Sequence, residues 1–170
     1  MSERAWIKGA QRGSAEDLER LFRAHWPRAH RAAYLVTGDA AAAEDIAQEA
    51  FLAALRNLDR FDRRRPFGPW LHRIVVNRAI DWARARTLRQ EVGGDALAAA
   101  PASGNPAPAL SDDIVSALAG LSPDHRAVIV LRYLLGYTPG EIARILGVPR
   151  GTVNSRLRRG LDELSGSMER

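Results

Sequence analysis

Between residues 88 and 110 this 170-residue chain carries Pro101, Pro106 and Pro108 together with Gly93, Gly94 and Gly104. Each proline removes a backbone donor and fixes its own φ, and each glycine adds freedom that a regular element must take away. No continuous helix survives that density, and the stretch offers no apolar period to bury. Whatever folds must fold on one side of it or the other. The segment reads as a flexible linker between two small helical domains, with a structured loop as the alternative.

On both sides the apolar spacing is helical, so the expected fold class is all-α. A helix beginning near Ser14 places Leu18, Leu21, Phe22, His25 and Trp26 on one face, continues through His30 to Val36, and stops at Gly38. Asp39 is a good N-cap for the next helix, whose buried stripe is Ala43, Ala47, Phe51, Leu55 and Leu58. The last helix of this half spans about Pro69 to Arg86, with Trp70, Leu71, Ile74, Val75, Ala79 and Trp82 inward; Ile74-Val75-Val76 alone would suit a strand, but the spacing of the whole segment does not. After the linker, Ser111 caps a helix carrying Ile114, Val115 and Leu118, and Ser122-Pro123-Asp124 starts another with Val128, Leu131 and Leu135. The expected units are residues 14–87, the linker 88–110, and residues 111–165.

The final pair, TPGEIARILGVPRGTVNSRLRRGLDEL (Thr138 to Leu164), has the pattern of a helix-turn-helix. Thr138 caps, Pro139 suits the first turn, and Glu141 completes a capping box. Ile142, Ala143 and Leu146 face inward, Gly147 takes the left-handed exit, and Val153, Leu157, Leu161 and Leu164 form the stripe of the second helix. Its outward residues, Arg150, Asn154, Ser155, Arg156, Arg158 and Arg159, are types suited to phosphates and major-groove base edges. A helical hairpin with a solvated basic face is the plainer reading, but cap, glycine, spacing and charge agree on DNA.

Charge placement says more than the total of +5. Residues 39–53 carry four carboxylates and no basic side chain, a net of −4. Residues 54–89 carry ten arginines against three aspartates, a net of +7, and residues 140–159 carry five arginines against Glu141, a net of +4. Two basic segments far apart in sequence imply two separate contacts with a polyanion. There is no cysteine, hence no disulfide and no thiolate metal site. No apolar run approaches the ~20 residues of a membrane span, and the first residues lack a signal-peptide core, so a cytoplasmic protein without membrane insertion is expected.

DAAAAEDIAQEAFLAAL (Asp39 to Leu55), PFGPWLHRIVVNRAIDWAR (Pro66 to Arg84) and the terminal helix-turn-helix, in that order, resemble the extracytoplasmic-function (ECF) sigma factors, group IV of the bacterial primary-type sigma family. The likeness spans roughly residues 14–165. It implies sigma region 2 at residues 14–87, for core polymerase binding, −10 recognition and melting, and sigma region 4 at residues 111–165, for −35 recognition. It also implies a factor that brings core RNA polymerase to specific promoters and helps open the duplex, docking on the clamp helices and the flap. An anti-sigma factor is implied as a regulator, and a monomer when free. No cofactor, metal or catalytic residue is expected.

Carried onto this chain, the polymerase surface is Asp45, Gln48, Glu49, Leu52 and Arg56, spaced along one helix face. The −10 set is Arg63, Arg64, Arg65, Phe67, Arg73, Asn77 and Arg84, arginines for the backbone and a pocket for an unstacked base. Arg60 leads into that loop, while Trp70 and Trp82 read as core. The −35 set is Arg150, Thr152, Asn154, Ser155, Arg156, Arg158 and Arg159. Family members often have arginine where Asn154 stands, which implies a different −35 preference.

Two rivals compete. A stand-alone helix-turn-helix regulator would bind duplex DNA tightly by itself, and the acidic helix with its arginine loop argues against it. An enzyme needs a site, yet His25, His30, His72 and His125 lack metal-ligand spacing, and there is no phosphate loop or nucleophile elbow.

Overall fold

The computed structural model describes residues 1–93 and 112–170, and every described element is helical. The first half comprises α1 (Glu3–Gln11), α2 (Ala15–Thr37), α3 (Ala40–Arg56) and α4 (Phe67–Glu91). The second comprises α5 (Asp112–Ala119), α6 (Pro123–Ile129), which continues as a π-helical turn over Val130–Leu134, α7 (Pro139–Leu146) and α8 (Arg150–Met168). The expectations for residues 94–111, including the cap at Ser111 and most of the linker, lie outside the described residues. Helix α4 runs to Glu91, past the expected end at Arg86 and into the stretch read as linker.

Several local signals act as their chemistry requires. Ser14 accepts from the Asp17 amide at 3.2 Å, Asp39 from the Ala42 amide at 2.9 Å, and Ser122 from the His125 amide at 3.3 Å. Gly38 closes α2 at φ 67°, a conformation that a side chain disfavours. Helix α2 passes through Pro27 as one element. Helix α1 was not expected; Ser2 caps it, and Ile7 is buried in the core.

Leu21, Ala43, Ala47, Phe51, Leu58, Leu71, Val75 and Ala79 are buried as the spacing requires. Small residues dominate the α2–α3 contact, where Ala29, Ala32, Ala33, Ala43, Ala47 and Ala50 let the backbones approach closely. Expectations fail at Phe22, Ile114 and Leu161, each exposed because the stripe is wider than the partner helix covering it. Ile145 and Gly160 are core positions that the pattern missed. At Gly160 a Cβ would stand 2.7 Å from Ile129 Cδ1, so α8 crosses α6 at a point that only glycine fits without a shift.

The two halves pack on each other. Helices α2 and α4 lie against α5, α6 and α7, and the buried side chains of both halves form one continuous cluster. The buried Arg126 is the main polar anchor: its guanidinium donates to the carbonyls of Leu118 (2.8 Å), Ala119 (3.2 Å), Leu121 (2.8 Å) and, across the interface, Val36. Burial, with Arg86 nearby, pulls its pKa below the ordinary arginine value. Its partners are carbonyls around the C-terminal ends of α2 and α5, where the helix dipoles favour a cation.

Candidate nucleic-acid interface

The turn between α7 and α8 is built by its sequence. Thr138 Oγ1 accepts from the Glu141 amide at 3.2 Å, and Glu141 accepts from the Thr138 amide at 3.1 Å, which completes the capping box. That backbone bond holds the Glu141 carboxyl below its usual range. Gly147 leaves α7 at φ 67°, and α8 starts at Arg150 immediately after Pro149. Ile142, Ile145, Val153 and Leu157 lock the pair together. Of the −35 set, Arg150, Asn154, Arg158 and Arg159 are exposed, while Thr152, Ser155 and Arg156 are half-buried. Arg150, Asn154 and Arg158 form one row along α8 and Ser155 and Arg159 a second. Arg156 Nη1 lies 3.7 Å from Asp124 Oδ1.

The arginine loop begins with a 3-10 turn at Leu58–Arg60, held from behind by α1: the Gln11 amide donates to the carbonyls of Leu58 (2.9 Å) and Phe61 (3.2 Å). Arg64 pairs with Asp62 at 3.0 Å, and this hydrogen bond draws the Asp62 pKa down to about 2. Arg63 and Arg65 are exposed. Phe67 corrects the expectation for this loop. It is 2% exposed, wedged against Phe61 and Trp70 with ring centroids 5.8 and 5.7 Å away, and it borders an apolar groove between α2 and α3 rather than the surface of the arginine loop. Half-buried Trp70 is the aromatic nearest the surface, 4.6 Å from Phe61.

On α4, Arg73 is exposed, Asn77 is half-buried and Arg84 is exposed. The Asn77 amide donates to the Arg73 carbonyl at 2.7 Å and to Ile145 of α7 at 3.0 Å. Arg84 forms an ion pair with Asp124. Between the halves lies a cleft of about 770 Å³, lined in part by Arg60, Arg65, Trp70, Arg73 and Arg144. Arg144 joins this positive wall only through tertiary packing, and spacing along one helix could not have brought it there.

On α3, Asp45, Gln48, Glu49, Leu52 and Arg56 are all exposed, Leu52 to 50%. Glu49 pairs with Arg78 at 3.1 Å. Beside this strip opens an apolar groove of about 480 Å³, with Leu18, Phe22, Phe51, Leu52 and Leu55 among its walls. Reading Phe22 and Leu55 as core concealed it. The histidines make protein contacts: His25 with Glu3, His72 with Tyr137 at 2.6 Å, His125 with Glu163 at 3.1 Å. No helix among the described residues is long and apolar enough to cross a membrane.

Residues 21–89 match the family model for sigma-70 region 2, and residues 111–164 match that for sigma-70 region 4. The chain is 33% identical over 172 residues to the ECF RNA polymerase sigma factor SigW of Bacillus subtilis, covering 93% of this chain and 92% of that protein. It is 37% identical over 158 residues to the ECF sigma factor SigL of Mycobacterium tuberculosis, covering 90% and 89%. Among solved structures, CnrH in complex with the cytosolic domain of CnrY superposes with a TM-score of 0.73 at 28% identity, covering 98% of this chain and 97% of that one.

Proposed function

The chain belongs to the ECF family of RNA polymerase sigma factors, and from that membership we propose how the work of promoter recognition is divided along it. As a member of the family it directs core RNA polymerase to promoters and promotes opening of the DNA. The first half, residues 14–87, binds the polymerase clamp through Asp45, Gln48, Glu49, Leu52 and Arg56. A helix face that mixes carboxylates with an exposed leucine suits a basic protein groove better than it suits DNA. Arg63, Arg64, Arg65, Arg73, Asn77 and Arg84 act on the −10 strand, with Phe67 supporting the loop from within. A loop with so few exposed aromatics stabilises an unstacked base through polar contacts more than through stacking.

In the second half, residues 111–165, the start of α8 enters the major groove and its arginines hold phosphates, while the domain docks at the flap. Residues 88–110 serve as the connection through the polymerase. The protein performs no catalysis of its own, works in the cytoplasm, and has an anti-sigma factor as its negative partner.

One observation carries this reading best: Asp45, Gln48, Glu49, Leu52 and Arg56 of α3 are all exposed, and so are Arg63, Arg65 and Arg73 of the first half and Arg150, Asn154, Arg158 and Arg159 of α8. The decisive experiment is in vitro transcription with core polymerase and a promoter library. Specific initiation is expected, whereas none anywhere in the library would overturn the reading. The Asp45→Lys variant should weaken core binding in a pull-down, and unchanged affinity would remove α3 from the interface.

A further inference from the structure

The arginine loop has a mechanical problem that its own sequence does not solve. Arg60, Arg63, Arg64 and Arg65 are all exposed within residues 60–65, and like charges this close drive a loop toward many open shapes. A pocket for one unstacked base needs a single shape, because ordering the loop at the moment of binding costs affinity.

The loop's fixed points come from α1. Gln11 Nε2 carries two hydrogens, and it donates to two carbonyls, Leu58 at 2.9 Å and Phe61 at 3.2 Å. The Leu58 carbonyl also accepts from the Phe61 amide at 3.0 Å, so one side chain binds the 3-10 turn at its start and at its exit. Phe61 is where the backbone turns extended, and its ring lies 4.6 Å from Trp70, the aromatic nearest the surface. Helix α1 is itself fixed on α2. Ile7 is buried, the Ser14 amide donates to the Gly9 carbonyl at 2.9 Å, and a Cβ on Gly9 would stand 1.7 Å from Asp17 Oδ2. At its other end Glu3 pairs with His25, whose ring lies 5.0 Å from Phe67, the first residue of α4. One short helix thus reaches both the entry and the exit of the loop.

We propose that Gln11 is a positioning residue for −10 recognition. By gripping the Leu58 and Phe61 carbonyls it holds the arginine loop in the shape that accepts an unstacked base, and it touches no DNA itself. This rests on the assignment of the loop to the −10 strand given above. Without the amide, Leu58 and Phe61 still anchor the loop by their buried side chains, but the backbone between them is free to shift.

Two variants and two measurements test it. Gln11→Met keeps the length without donors, and Gln11→Glu keeps the shape but turns oxygen toward both carbonyls. In hydrogen exchange on the full chain, the amides of residues 60–65 should exchange about tenfold faster in either variant, with those of α3 unchanged. The second measurement uses holoenzyme and the single-stranded −10 strand of a promoter recovered from the library, with an abasic site placed at each position in turn. The parent should prefer the intact strand by about tenfold over the strand abasic at the captured position. Both variants should bring that preference to within about twofold, while affinity for the abasic strand, core binding and −35 duplex binding stay level. Unchanged exchange in the loop would overturn the tether. An unchanged preference, or an equal loss on intact and abasic strands, would overturn the positioning role. A parent holoenzyme indifferent to every abasic position would instead strike at the −10 assignment, while hydrogen exchange still judges the tether.

Discussion

Arg126 shows what a single residue contributes that composition hides. An arginine buried without a carboxylate is unusual, since desolvating its charge is costly. Here carbonyls around two helix ends take the place of the anion. Arg126→Met, similar in length but without donors, leaves those carbonyls unpaired in a closed interior. A loss of about 2–4 kcal/mol is expected in urea melts, and a change below about 1 kcal/mol would mean that water replaces the guanidinium freely. From the sequence, Arg126 was one more basic residue on a helix. Nothing in its spacing showed that Val36, ninety positions earlier, would supply a partner. Phe67 carries the opposite lesson. Its place beside the arginine loop suggested a role at a base, yet the ring turns inward to meet Phe61 and Trp70.

At the scale of elements, helix boundaries and caps were the most legible. Thr138, Glu141, Gly147, Ser14, Asp39 and Ser122 act within three or four residues of themselves, so short-range chemistry decides them. Faces were read less well, because a stripe says which side is apolar and not how much of it a neighbour covers. Phe22 and Leu161 stayed exposed for that reason. On α8 the proposed reading divides the exposed side chains between two kinds of work. It assigns Asn154, in the first turns, to base edges and Arg159, farther along, to phosphates. Asn154→Ala should change the preferred −35 sequence in holoenzyme transcription on a variant library, discrimination at one position shifting by about 1–3 kcal/mol. Arg159→Ala should weaken all promoters alike and lower the salt dependence of binding. Parallel losses across the library for both variants would contradict that division.

At the scale of the whole molecule, the seam between the halves makes stability depend on pH. Burial, reinforced by Arg28 and His25, lowers the pKa of His72 from 6.5 to about 4. A folded pKa below the unfolded one means that protonation favours the unfolded chain. The contribution is therefore fully present above about pH 6.5 and is lost as pH falls toward 4, by roughly 3 kcal/mol at most. Glu141 and Asp62, whose pKa values are also lowered, shed their contributions only below their usual 4.5 and 3.8. Melts between pH 6.5 and 4.5 should thus show a decline that His72→Gln flattens, and the same slope in both proteins would relocate the effect.

The sequence by itself determined that the chain is helical, where most helices begin and stop, that its basic charge falls in two blocks, and which family it resembles. Those properties depend on neighbours within a turn or two, or on order along the chain. Only the tertiary structure decided that the two blocks face each other, that Arg144 joins the cleft beside Arg73, and that Asp124 stands between Arg84 and Arg156. Such contacts join residues tens of positions apart, and their partners are selected by how whole helices pack. No local pattern encodes that choice.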